Sequence, residues 1–151
     1  MSIDLNTPLS EHFKLSEFVL SQTAQRKGID NTPPPEVVER LKTLCADILE
    51  PARAALGPLR ISSGFRCEKL NVTIGGSKTS AHCLGYAADV SPLNTTHKDF
   101  ARWVRDNCQY DQIILEYGTP QDPAWIHVSC DPRARKQILK TAPGGYAPTT
   151  I

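Results

Sequence analysis

Ser80-Ala81-His82-Cys83-Leu84-Gly85-Tyr86-Ala87-Ala88-Asp89-Val90 decides how the rest of the chain is read. A polar, glycine-containing segment, Asn71 to Ser80, delivers His82 as a loop. A small-apolar run, Tyr86 to Val90, then carries Asp89 with strand-like character, stopped by Ser91-Pro92. His82 and Asp89 are seven positions apart. A neutral imidazole and a carboxylate are good ligands for Zn²⁺, which prefers four tetrahedral positions and in catalytic sites takes three of them from protein. A third ligand must come from elsewhere, and His127 in Trp125-Ile126-His127-Val128-Ser129 is the best placed. A His–Asp pair at this spacing is common and most such pairs bind nothing, so both readings stand open on these residues alone.

Downstream, Gln112 to Tyr117 and Trp125 to Ser129 read as two strands joined by a hairpin loop, Gly118 to Pro123. Alternation puts Trp125, His127 and Ser129 on one face of the second strand, and Gln112, Ile114 and Glu116 on one face of the first. Antiparallel pairing would bring Glu116 near the level of His127; whether it faces the same side depends on register, which the sequence does not fix. Gln137-Ile138-Leu139 suggests an edge strand, and the tail 143–151 reads as irregular.

Upstream, Leu59 to Ser62 reads as a first strand and Ser63-Gly64-Phe65-Arg66 as the turn leaving it. Arg66 is either a solvated charge or a fixed guanidinium able to grip a carboxylate in bidentate fashion. Residues 36–56 form the clearest helix: Val37, Val38, Leu41, Leu44, Cys45, Ile48, Leu49, Ala52 and Leu56 recur at three- and four-residue steps, and Gly57-Pro58 stops it. Thr96 to Asp99 resembles a capping box with Asp in place of Glu, opening a short helix with Phe100, Trp103 and Val104 on its apolar face. Residues 1–12 read as a loose arm, and Phe13, Leu15 and Phe18 as a piece tucked against the core. The expected fold is a single α+β domain over 1–151: a small, mainly antiparallel sheet carrying a zinc site, flanked by one long and one or two short helices.

The whole chain bounds the function classes. At 151 residues it is large enough for one self-sufficient core. A net charge of +1 offers no field for nucleic acid or an anionic membrane. No apolar run approaches a membrane span, and the N-terminus lacks the charged start and apolar stretch of a signal peptide. The five cysteines, Cys45, Cys67, Cys83, Cys108 and Cys130, are odd in number and form no Cys-x-x-Cys, which argues against a disulfide framework and a Cys₄ zinc site. Gly75-Gly76 lacks the Walker pattern of a phosphate loop.

Taken in order, several pieces resemble the M15 zinc peptidases, and most of all the phage and prophage peptidoglycan peptidases of the carboxypeptidase A-type subgroup. The pieces are Phe13 to Phe18, Ile61 to Arg66, Leu70-Asn71 through Gly75-Gly76-Ser77, the Ser80-x-His82-x₂-Gly85-x-Ala87-x-Asp89 block, Glu116, and Trp125 to Ser129. The resemblance implies His82, Asp89 and His127 as zinc ligands, Arg66 and Ser80 as substrate-binding residues beside the metal, and Glu116 as the general base. It implies hydrolysis of peptide bonds in peptidoglycan stem peptides or cross-links, as a D-Ala-type carboxypeptidase or endopeptidase. The setting it implies is a phage- or prophage-encoded, monomeric cell-wall-degrading protein, held in the bacterial host cytoplasm until lysis or carried in the virion.

The sequence departs from the family near the base. Relatives carry their catalytic acid three to six residues before the last histidine, where this chain has Ala124 at the third position; Glu116 is eleven back, behind what looks like a hairpin insertion. Asp122 is the fallback and His97 a distant third. Hedgehog signalling domains resemble these peptidases and keep the zinc in a binding role, so the alternative is a zinc-stabilised module that binds cell wall, or serves in a virion tail, without cutting.

Overall fold

The structure, a computed structural model, describes residues 4–151. Its centre is a six-stranded sheet in the order β1-β2-β4-β3-β5-β6. The strands are β1 (Leu59–Ser63), β2 (Ala87–Pro92), β3 (Gln112–Glu116), β4 (Trp125–Ser129), β5 (Gln137–Ala142) and β6 (Gly145–Pro148). Pairing is antiparallel except between β3 and β5, which run parallel, so the sheet is mixed, and the mainly antiparallel sheet that was expected holds only in part. The cause is a crossover: the chain leaves β4, passes the start of β3 and enters β5 on its far side. Asp111, completely buried, ties this crossover down by accepting from the Arg135 backbone N–H at 2.8 Å, Nε at 3.0 Å and Nη2 at 2.7 Å.

The long helix forms, but in three parts: α3 (Pro35–Leu44), a π-helical stretch (Cys45–Leu49) and α4 (Glu50–Leu56). Pro51 explains the wide turn. In a regular α-helix its ring would crowd the carbonyl of Asp47 and it has no N–H to donate. The ladder shifts instead, and the Glu50 N–H bonds back to the Cys45 carbonyl. The apolar stripe of this helix, Val37, Leu41, Leu44, Cys45, Ile48, Leu49 and Ala52, is buried. It shares one core with Phe100, Ala101 and Val104 of α6 (His97–Asn107) and with Val90, Ile113, Leu115, Ile126 and Val128 of the sheet. Thr96 caps α6 by accepting from the Asp99 N–H at 3.0 Å.

The short helices outnumber the one or two expected. Besides α6 there are α1 (Leu15–Val19), α2 (Gln22–Lys27) and α5 (Glu68–Thr73). The last occupies the start of the segment read as a loop, with the Cys67 thiol accepting from Leu70 N–H at its N-terminus. The arm is not loose over its described part. Leu9 is buried, Leu5 packs on the core, Leu15 N–H bonds to the Thr7 carbonyl and Ser16 N–H to that of Leu5; residues 1–3 lie outside the described residues. The tail is not irregular either, since Gly145–Pro148 pairs with β5 as a hairpin. All five cysteines are free, with Cys45 buried and the others partly exposed. Among the described residues no helix is long and apolar enough to cross a membrane.

Candidate metal centre

Two faces follow from strand alternation. Ile113, Leu115, Ile126 and Val128 point into the helical core, so Ile114, Glu116, Trp125 and His127 point the other way. On that side they line a groove of about 870 Å³, together with Asp89 of β2. Ile114 pairs with His127 and Glu116 with Trp125, so Glu116 stands one diagonal step from His127 on the same face. Asp89 pairs directly with His127 across β2 and β4.

His82 arrives from a 3₁₀ turn (Ala81–Leu84) rather than a strand. Ser80 starts the turn by accepting from the His82 N–H at 3.2 Å. Gly85 ends it at φ 84°, where a Cβ would also meet the Val37 Cγ1 at 2.9 Å, so both backbone and space require glycine. The His82 ring is fixed by its Nδ1, 2.7 Å from the Gly64 carbonyl oxygen. A carbonyl only accepts, so Nδ1 carries the proton and Nε2 is the ring nitrogen turned to the groove.

That Nε2 lies 3.1 Å from His127 Nδ1 and 3.3 Å from Asp89 Oδ1, and His127 Nδ1 lies 3.5 Å from the same oxygen. Ligand atoms held tetrahedrally at 2.0–2.1 Å from Zn²⁺ would be about 3.3 Å apart. The three atoms already stand at the corners of one such face. His82, Asp89 and His127 are all buried, yet Asp89 Oδ1 and His127 Nε2 have no hydrogen-bond partner. Buried polar atoms are ordinarily satisfied, and a cation would satisfy the carboxylate. The donor set and its spacing therefore fit a metal ion. Electrostatics agree. Burial alone would push the Asp89 carboxyl up, but His82 and His127 hold it well below the usual carboxylate range. Burial pushes His127 down, toward the neutral form a ligand needs.

Around this centre the groove carries other polar groups. Arg66 donates from its backbone to the His82 carbonyl at 3.2 Å and from Nη2 to the Ser80 Oγ at 3.3 Å, while its buried Nε lacks a partner. Glu116 is 6% exposed; burial and the Asp89 charge push its carboxyl up from the ordinary value, against smaller downward pulls from His127, Tyr146 and Thr141. Asp122 is exposed in the β3–β4 loop and outside the groove lining. His97 is likewise outside it, with Nε2 3.0 Å from Ser91 Oγ. Ala124 closes the base of the hairpin through its N–H to the Glu116 carbonyl at 2.9 Å. Sequence reasoning did not point to Thr141, Tyr146 or Arg135, which also line the groove; the strands of Thr141 and Tyr146 carry no motif, the turn between them was read as tail, and Arg135 lies in the segment before β5.

An α+β domain with a His–Asp–His cluster at the floor of a ligand-sized groove falls in a class to which metal-dependent hydrolases belong. The comparison with protein families narrows it: the model described as Peptidase M15 matches residues 11–129, and the chain belongs to that peptidase family. Among curated proteins no match is found.

Proposed function

We propose that the protein is a zinc-dependent peptidase that hydrolyses peptide bonds of peptidoglycan stem peptides or cross-links. The observation that carries the reading is the triad of His82 Nε2, Asp89 Oδ1 and His127 Nδ1, spaced as one tetrahedral face and opening into the groove. Two imidazoles and a carboxylate with an open position are a donor set suited to catalytic zinc. Bound there, zinc would polarise the scissile carbonyl and lower the pKa of a water toward neutrality.

The chain's own residues supply the rest. Glu116, its carboxyl pushed above the ordinary value by burial and on the triad's face of the sheet, takes the proton from the attacking water and returns it to the leaving amine. Arg66 turns its guanidinium to the substrate's carbonyl or terminal carboxylate, and Ser80 holds that guanidinium while adding a hydroxyl to the groove wall. Gly64 fixes the tautomer of His82. The likeness to phage and prophage peptidases supports a role in cell-wall degradation, with D-amino acids at the cleaved bond.

Mass spectrometry of defined muropeptides, after incubation with the zinc-loaded protein beside a chelator-treated control, tests this. Loss of a terminal D-alanine means carboxypeptidase action, and cleavage of a cross-link means endopeptidase action. No product from a fully zinc-loaded protein would refute hydrolysis and leave a zinc-stabilised binding module.

A further inference from the structure

The family match ends at residue 129, yet the groove does not. Its far wall is the β5–β6 hairpin, which contributes Leu139, Thr141, Ala142, Gly145 and Tyr146. Two hydroxyls of that hairpin close on Glu116. Tyr146 donates to Oε1 at 3.2 Å, and Thr141 Oγ1 lies 3.4 Å from Oε2. Thr141 is itself oriented, because its oxygen accepts the Tyr117 N–H at 3.0 Å, leaving the hydroxyl proton for Glu116 or for the Leu115 carbonyl at 3.5 Å. The phenol remains a donor: burial and the Glu116 charge push Tyr146 up to about 12. Glu116 thus has one hydroxyl on each carboxylate oxygen, and both come from chain that the family pattern does not cover.

We propose that Tyr146, with Thr141 in support, is a positioning residue for Glu116, making the hairpin 137–148 part of the catalytic unit. This rests on Glu116 being the general base. A glutamate side chain has three rotatable bonds, and two donors on opposite oxygens select one carboxylate orientation in which proton transfer to and from the groove is aligned. The Tyr146 ring stands in the same wall, 54% exposed, so the contact that orients the base also bounds the space open to substrate.

The test pairs Tyr146→Phe, which removes the hydroxyl and keeps the ring, with Thr141→Val, which removes the other at near-equal volume. On a muropeptide that the native protein cleaves, Tyr146→Phe is expected to lower kcat about tenfold or more, the worth of one hydrogen bond to a charged group, with KM within about twofold and zinc stoichiometry unchanged. Thr141→Val is expected to lower kcat less. In a Glu116→Gln background Tyr146→Phe should add little, because the group it positions is already gone. Native kcat in Tyr146→Phe, or the same loss in both backgrounds, would overturn the proposal. Failure of the base assignment shows itself separately, as Glu116→Gln retaining turnover. A measurement independent of turnover completes the test: ¹³C-carboxyl NMR titration of Glu116 in the zinc-loaded protein. The groups facing this carboxylate are Asp89, His127, Tyr146 and Thr141. Loss of the phenol donor should raise the titration midpoint, and a midpoint unmoved by Tyr146→Phe would overturn the contact itself.

Discussion

Gly64→Ala separates the packing of the fold from the tuning of the candidate metal centre. Gly64 has no left-handed backbone to protect, so the substitution acts only through space. A Cβ there would lie 2.6 Å from Phe18 Cβ and 2.7 Å from both its Cα and its carbonyl oxygen. Comfortable contact is about 3.5 Å, so something must retreat by roughly 0.9 Å. Phe18 cannot yield cheaply: it is 1% exposed, and its carbonyl accepts the Phe65 N–H at 2.7 Å. Overpacking of this kind costs about 1–3 kcal/mol of stability. If Gly64 moves instead, its carbonyl leaves His82 Nδ1, now 2.7 Å away, and the hydrogen bond stretches beyond useful length. Losing such an outer partner of a ligating histidine lowers metal affinity about 10- to 100-fold, or about 1.4–2.7 kcal/mol. Competition for zinc against a chromogenic chelator measures the affinity, and thermal unfolding at saturating zinc measures the packing cost. A lowered unfolding temperature with zinc affinity unchanged to within about twofold would refute the claim that the Gly64 carbonyl sets the His82 ring.

Zinc at a free concentration of 100 times its Kd should stabilise the protein by about 2.7 kcal/mol, seen as a chelator-reversible rise in Tm that His82→Ala abolishes; a Tm indifferent to zinc would count against the triad as a metal site. Glu116→Gln should keep zinc and lower kcat by about 10²–10⁴, while Asp122→Asn stays near native turnover; the reverse outcome would move the base into the loop. Arg135→Met should cost about 3 kcal/mol near neutral pH, the low end for a broken buried pair, because Arg135 is 31% exposed. Burial pushes the Asp111 carboxyl up, but the Arg135 hydrogen bonds outweigh it and hold the value below the ordinary 3.8. A lowered folded value stabilises above the ordinary one and is lost as pH falls through the folded one. Denaturant titrations should therefore show the native–variant gap shrinking below about pH 4, and a gap constant with pH would contradict the pairing.

Much of this was legible because periodicity reports burial directly. The stripe of residues 36–56, the strands at 112–117 and 125–129 and the tucked Phe13–Phe18 piece all state which side faces the core. What pattern could not state was register and crossover. Glu116 could have faced either side, and only the pairing of Ile114 with His127 places it on the groove. The parallel placement of β5 is held by long-range ties, among them Asp111 with Arg135 and Gln112 with Gln137, which leave no periodic trace. Helix α5 hid in a polar segment because its stability comes from Leu70 and a cysteine cap rather than from an apolar stripe. The π stretch follows from Pro51, which lies off the apolar stripe that defines the helix and so leaves the periodic pattern unbroken.

The C-terminal hairpin also guards a vulnerable border. Without β5, the backbone donors and acceptors of β3 that now meet Gln137 to Lys140 would form an open ladder at the sheet margin, flanked by Ile113, Ile114 and Leu115. Such a margin is a template for another chain to add itself. The margin the protein actually presents is β6, four residues long and ending in Pro148, which recruits poorly. A chain cut after Ser129 would keep His82, Asp89 and His127 and still be expected to self-associate.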